Sequence, residues 1–188
     1  MPQSKVRLLL VVQDRLVAGT LSTGGRRILE VLVDTGSNYL RLRDAKIQNN
    51  SGDRAEADLE EVVVWRPHIS LIALARDEHE APEKRCFGFV QKERCSATLV
   101  VSGWQVVGDV HVKGHVDPVI LLERETGAFF PMTNVTMQSN GAPVLTSPVV
   151  FVSKTHVSLC SLGPVDAKPL LNDARTLCDH APVQDWSE

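Results

Sequence analysis

What the chain lacks narrows its chemistry first. Its 188 residues contain no Gly-rich phosphate loop, no Gly-x-Ser-x-Gly and no His-Glu-x-x-His, so the common signatures of nucleotide binding, hydrolase nucleophiles and zinc peptidases are missing and no cofactor is expected. Cys-x-x-Cys is missing too. The four cysteines, Cys86, Cys95, Cys160 and Cys178, stand apart in a chain too large to need disulfides as its main support, and they read as reduced, partly buried thiols. A zinc set of Cys86, Cys95 and His79 has irregular spacing, and His111 and His115 sit beside Val110, Val112 and Gly114, which favour a strand and turn over a chelating helix; no metal is expected. Long apolar runs are also absent. Leu8 to Val12 is too short for a signal-peptide core or a membrane span and runs straight into Gln13-Asp14-Arg15, which implies a cytoplasmic protein without a membrane partner. Finally, no charge of one sign dominates. A net charge of −3 and a pI near 6.1 exclude a surface that traps nucleic acid everywhere, and leave room only for a local basic patch.

What is present is an ordinary globular composition, 43% apolar and 23% charged, enough for one large domain or two small ones. An internal repeat favours two. Leu10-Val11-Val12 with Val17-Ala18-Gly19-Thr20-Leu21 recurs as Leu99-Val100-Val101 with Val106-Val107-Gly108-Asp109-Val110 at identical internal spacing. Arg66-Pro67-His68-Ile69-Ser70-Leu71 recurs as Lys154-Thr155-His156-Val157-Ser158-Leu159. Between these anchors Thr35-Gly36 matches Thr126-Gly127, and the stretch from Tyr39 to Gln48 matches that from Phe130 to Gln138 after a one-residue slip. The expected organisation is a first repeat over 1–75, a charged, Pro-containing linker over 76–93, a second repeat over 94–163 and a tail over 164–188.

Each repeat predicts five short strands. Val6 to Val12 and Arg15 to Ser22 suit a hairpin around Gln13-Asp14; Tyr39 onward alternates; Val62 to Trp65 and Ile69 to Ala75 form two strands broken at Pro67, where a bend is required because proline cannot donate in a central ladder. The segment between the second and third strands predicts a short helix. Asp117-Pro118 fits an N-cap and first helical position, Gly127 fits a residue just past a helix end, and Arg26 to Gly36 is the matching segment in the first repeat.

That matching segment ends in Asp34-Thr35-Gly36-Ser37, the loop by which an aspartic peptidase delivers a carboxylate. A dyad needs two carboxylates about 3 Å apart sharing a proton. The second repeat offers Glu125-Thr126-Gly127-Ala128, one methylene longer, and Val63-Val64-Trp65-Arg66 stands where the supporting apolar-apolar-Gly segment belongs. Asp34 is therefore expected at a capped helix end, no catalytic residue is assigned, and the chain is expected not to be an enzyme; peptidase activity through Asp34 is the least favoured alternative.

Gly19-Thr20-Leu21 on the second strand, Asn38-Tyr39-Leu40-Arg41-Leu42 on the third, and Val64-Trp65-Arg66 before the final strand together resemble the Sm-like (LSm-type) fold. The second repeat matches through Gly108-Asp109-Val110, Phe129-Phe130-Pro131-Met132 and Val152-Ser153-Lys154, and the pair is similar to an uncharacterised bacterial family of Sm-like domains. The resemblance implies a mainly β protein of two tandem, five-stranded, strongly bent barrels, to which this chain adds a short helical insertion between the second and third strands of each. It also implies edge strands that pair into rings and, in many relatives, single-stranded RNA held by two loops.

Carried over residue by residue, those loops place Asn38, Tyr39 and Arg66 in the first repeat and Lys154 in the second, with Tyr39 for stacking and the basic residues for phosphate. Departures are an insertion where the first loop should be short, Pro67 in place of a glycine after Arg66, and Phe129 in place of the loop Asn. The favoured reading of Arg66 is nonetheless a solvated residue at a strand bend, and of His68 and His156 hydrogen-bonded histidines fixing that bend. The expected function is a non-enzymatic interaction and assembly module, oligomeric and binding a protein partner, with RNA binding as the alternative. The tail over 164–188, with Pro164, Pro169, Pro182 and Trp186, suits either docking to a partner or packing on its own second repeat.

Overall fold

In the computed structural model the chain is mainly β, with ten antiparallel strands in one continuous sheet and two short α-helices. The structure describes residues 5–34, 36–49, 57–75, 93–112, 114, 117–124, 127–139 and 144–163. The tail, nearly all of the linker, and Cys86, Cys178, His79, His115 and Glu125 lie outside the described residues. The first five strands are β1 (Lys5–Val12), β2 (Arg15–Ser22), β3 (Tyr39–Asn49), β4 (Ala57–Trp65) and β5 (Ile69–Leu74), with α1 (Ile28–Val33) between β2 and β3. The second five are β6 (Glu93–Val101), β7 (Trp104–Val112), β8 (Phe129–Ser139), β9 (Leu145–Ser153) and β10 (Val157–Gly163), with α2 (Pro118–Arg124) between β7 and β8.

Their order across the sheet is β10-β6-β7-β8-β9-β5-β1-β2-β3-β4. Each half thus runs fifth, first, second, third, fourth, and the halves meet where β9 pairs with β5. The repeat in the sequence is a repeat in the topology.

Local chemistry explains the elements. Leu8 to Val11 form a continuous apolar run because β1 is paired on both sides and covered on both faces, so every one of these side chains is buried. The β6–β7 turn at Ser102-Gly103 has φ of 47° and 81°, the doubly positive backbone of a tight hairpin. As expected, Asp117 caps α2, its Oδ1 accepting from the Val119 amide at 2.7 Å. In α1 the capping is reversed: the Glu30 carboxylate accepts from the Arg27 amide at 3.1 Å. The bends predicted at Pro67 and at the matching Thr155 are single 3-10 turns, Arg66–His68 and Lys154–His156.

Two features differ from the sequence expectations. β4 begins at Ala57, well before Val62, because Ala57, Asp58, Leu59 and Glu61 extend its ladder against β3. The one-residue slip between Tyr39 and Phe130 also disappears. Tyr39 pairs with Trp65 and Phe129 with Ser153, so Phe129 is the counterpart of Tyr39. Asn38 corresponds to Ala128, since the carbonyls of these two accept from the Arg66 and Lys154 amides at 2.8 and 2.9 Å.

Curvature comes from one device used twice. The β2–β3 and β7–β8 registers shift around Gly19 and Gly108, opposite residues in left-handed conformation, Asp44 at φ 51° and Asn134 at φ 53°. Such bulges bend and twist a strand. Glycine is needed opposite them: a Cβ at Gly108 would lie 2.9 Å from the Thr133 carbonyl oxygen and from Val135 Cγ2, whereas at Gly19 the nearest atom would be Leu42 Cβ at 3.1 Å. Gly108→Ala is therefore expected to cost about 2 kcal/mol in urea denaturation, through overpacking against backbone, and Gly19→Ala less.

The core forms two apolar clusters, and each draws on both halves. One joins Leu9, Val11 and Leu71 to Trp104, Val150 and Val152. The other joins Leu10, Ile28 and Ile72 to Phe129, Val149 and Phe151. The two five-stranded units are packed into one another across β5 and β9.

Candidate functional site at the strand edges

The sequence-predicted residues fall around the two 3-10 turns. Arg66 is half-buried, and its Nη1 donates to the carbonyls of Leu32 and Asp34 at 2.7 and 2.6 Å. A cation there satisfies the last carbonyls of α1 and favours its negative end. Its Nε is buried with no hydrogen-bond partner. Lys154, the matching residue, is half-buried and also engaged. Asn38 is exposed, and Tyr39, 53% exposed, packs edge-on against Trp65 with ring centroids 4.6 Å apart. The structure brings Asn38, Tyr39 and Arg66 together, with Lys154 in the second half, and turns the Arg66 guanidinium toward α1.

Asp34 stands at the end of α1 as expected. Its carboxylate takes Arg26 Nη1 at 2.5 Å and the Gly36 amide at 2.9 Å. These bonds, the Arg26 contact above all, hold its pKa below the usual value of 3.8. The group is an ionised cap. Among the described residues no cluster of metal-ligating side chains occurs, and His111 Nε2 pairs with Thr133 Oγ1 at 2.9 Å. Cys160 is half-buried, and that burial raises its thiol pKa.

The histidines differ from each other. His156 Nε2 lies 2.8 Å from the Pro67 carbonyl oxygen, in the other half of the chain, and its Nδ1 lies 3.2 Å from Ser102 Oγ. A carbonyl only accepts, so Nε2 carries the proton and Ser102 donates to Nδ1 in the neutral ring. His68 is exposed and has no hydrogen bond among the described residues. The first bend is thus held without its histidine, and the second uses its own to reach across.

What sequence reasoning missed is the joint between the halves. β5 and β9 pair through Leu71↔Val152, Ile72↔Phe151 and Ala73↔Val150, all buried. Ser147, buried, donates to the Leu74 carbonyl across the same joint at 2.9 Å. α1 leans over it: Gly127, at φ 112°, approaches so closely that a Cβ there would meet Val33 Cγ1 at 2.8 Å.

At the two ends of the sheet stand the counterparts of these strands, β4 and β10, each paired on one side only among the described residues. Four exposed apolar residues on and beside these strands form a pattern. Tyr39, Val63, Val119 and Leu159 are 50–57% exposed. Their counterparts in the other half are Phe129 (3%), Phe151 (3%), Leu29 (packed on the core) and Leu71 (0%), all at the internal joint. These four match residues that the other half buries, whereas Val33 and Leu59, 37% and 39% exposed, correspond to the polar Glu123 and Ser147. A signal was available in the sequence: Val62-Val63-Val64 is as apolar as Val150-Phe151-Val152, too apolar for a strand left at an edge.

A cavity of about 330 Å³ lies between β2, β3 and α1, lined by Lys5, Thr20, Tyr39, Arg41, Arg43 and Asp44 among others. Arg41 Nη1 pairs with Glu61 at 3.0 Å and Arg43 Nε lies 3.8 Å from the same carboxylate, so its positive charge is partly offset. No family model, no curated protein and no solved structure matches the chain. Among the described residues no helix is long and apolar enough to cross a membrane.

Arg66→Ala should cost about 2 kcal/mol in chemical denaturation, because two charge-assisted hydrogen bonds to α1 are lost, and Arg66→Lys should recover part of it. Asp34→Asn should lower the melting temperature at neutral pH. A depressed carboxylate pKa contributes stability above its unfolded value that is lost as pH falls through the folded one, so the difference from the parent should shrink as pH drops below about 4.

Proposed function

We propose that the protein is a non-enzymatic assembly module: a tandem pair of Sm-like units that joins further copies of itself, β10 of one chain pairing with β4 of the next. The Sm-like reading is supported by the fifth-first-second-third-fourth strand order in each half and the 3-10 turn before the fifth strand. The assembly reading rests chiefly on one observation. Tyr39, Val63, Val119 and Leu159, exposed on or beside the two free edges, are the counterparts of residues buried where the two halves already join.

The physics favours a second copy as the occupant. An edge strand presents unpaired N–H and C=O groups that another strand satisfies. Burying Tyr39, Val63, Val119 and Leu159 adds apolar stabilisation of about 1–2 kcal/mol each. Because β4 meets β10 rather than another β4, the contact is heterologous: it closes into a ring or extends into a filament, according to the rotation per copy. RNA binding is less favoured, since Arg66 is committed to α1 and the basic residues beside Tyr39 share Glu61.

Light scattering is expected to give a mass several times that of the 20.7 kDa chain. Leu159→Asp should weaken association by roughly a hundredfold or more, since it places a carboxylate in an apolar joint. A parent protein that is monomeric at high concentration would sink the proposal, and the tail covering β10 would then be the explanation to pursue.

A further inference from the structure

We infer that the joint between copies has a fixed register, with Cys160 of one chain opposite Val63 of the next, and that His68 latches it by donating to the carbonyl of Thr155 in the neighbouring chain. The inference rests on the assembly reading above and adds to it the pairing, the latch and the polarity of the contact.

The register follows from counterparts. β4 and β9 have the same length and end at the same 3-10 turn, which places Val62, Val63 and Val64 on Val150, Phe151 and Val152. β5 and β10 start just after that turn, which places Leu71, Ile72 and Ala73 on Leu159, Cys160 and Ser161. Translating the internal pairs Leu71↔Val152, Ile72↔Phe151 and Ala73↔Val150 gives Leu159↔Val64, Cys160↔Val63 and Ser161↔Val62 between copies. The exposed Val63 then occupies the place of the buried Phe151. A slip of one residue would put Val62 or Val64 in that place and turn Val63 to the opposite face, because side chains alternate along a strand.

The latch follows from the one histidine that has found its partner. His156 leaves the end of β9 and reaches the Pro67 carbonyl at the start of β5, across the internal joint. Its counterpart His68 leaves the end of β4, exposed and without a hydrogen bond among the described residues; the counterpart of Pro67 is Thr155, equally exposed. Both 3-10 turns have the same internal bond, the Ile69 and Val157 amides donating to the Arg66 and Lys154 carbonyls. The middle carbonyl of each turn therefore points outward in the same way, and one is occupied while the other is open.

The aromatic end of the joint fits the same translation. α1 covers Phe129 of the other half. α2 of one copy would cover Tyr39 of the next, with the exposed Val119 standing where Leu29 packs.

The test uses the full chain and its native thiol. Val63→Cys should give disulfide-linked multimers on mild oxidation, since directly opposed residues of antiparallel strands fall within disulfide reach. Val62→Cys, facing the other side, and Val63→Cys combined with Cys160→Ser should not. Cross-linking at Val62→Cys in place of Val63→Cys would overturn the register. His68→Ala should raise the dissociation constant of the multimer five- to tenfold in a dilution series, the loss of one hydrogen bond, with circular dichroism unchanged. His68→Gln should recover part of it. An unchanged constant for His68→Ala, with Leu159→Asp still abolishing association, overturns the latch alone, whereas a mass unaffected by Leu159→Asp overturns the assembly reading itself.

Discussion

The three-residue ladder between β5 and β9 is the constraint on which the rest of the molecule depends. Without it each half would present two bare strand edges and apolar faces with nothing against them. With it, Ile72 and Phe151 complete one core, and Leu71, Val150 and Val152 complete the other. Neither half owns its core. The helix α1 belongs to the first half by sequence yet packs on Phe129, Val149 and Phe151 of the second, so the ladder also fixes where α1 lies. Through α1 it fixes Arg66 and Asp34, which are held to the end of that helix.

Tandem duplication makes this joint different from a contact between separate molecules. Two copies of a strand edge held on one chain meet at an effective concentration set by the connecting segment, without the full entropy cost of association. The internal joint can therefore recruit large side chains and a buried serine. Outer edges must remain compatible with a free chain in water. Val63 in place of Phe151 fits that demand, as do the charged Asp58, Glu60 and Glu61 on β4, since charge at an edge discourages indiscriminate pairing.

Much of the fold was legible in the sequence because it was written twice. The repeat located the strands, the helix at Asp117-Pro118, and the bend at Pro67 and Thr155. β4 was only half visible: Asp58, Glu60 and Glu61 are polar because they lie in solvent at the end of the sheet, and solvent-facing strand residues carry little pattern. The equivalence of Phe129 with Tyr39 was missed by one residue because it is set by backbone bonds of Asn38 and Ala128, to which side chains contribute nothing. In sequence Arg66 reads as a phosphate contact or a solvated residue at the bend; the direction its guanidinium takes depends on where α1 ends, which a short apolar segment does not reveal. His68 and His156 look identical in sequence. They differ only because one has a neighbour in the same chain.

The two halves are alike but not interchangeable. Tyr39 and Trp65 form an aromatic corner in the first, and Phe129 and Ser153 stand in their places in the second. Any closed array built from whole chains therefore contains an even number of units, with two kinds of wedge alternating around it. Its rotational symmetry is half of what the number of wedges suggests, and a surface that reads the array encounters a motif of period two. A change confined to one half would mark every second wedge and leave the intervening ones intact, so such an array would have two independently variable sets of positions where a single-unit protein has one.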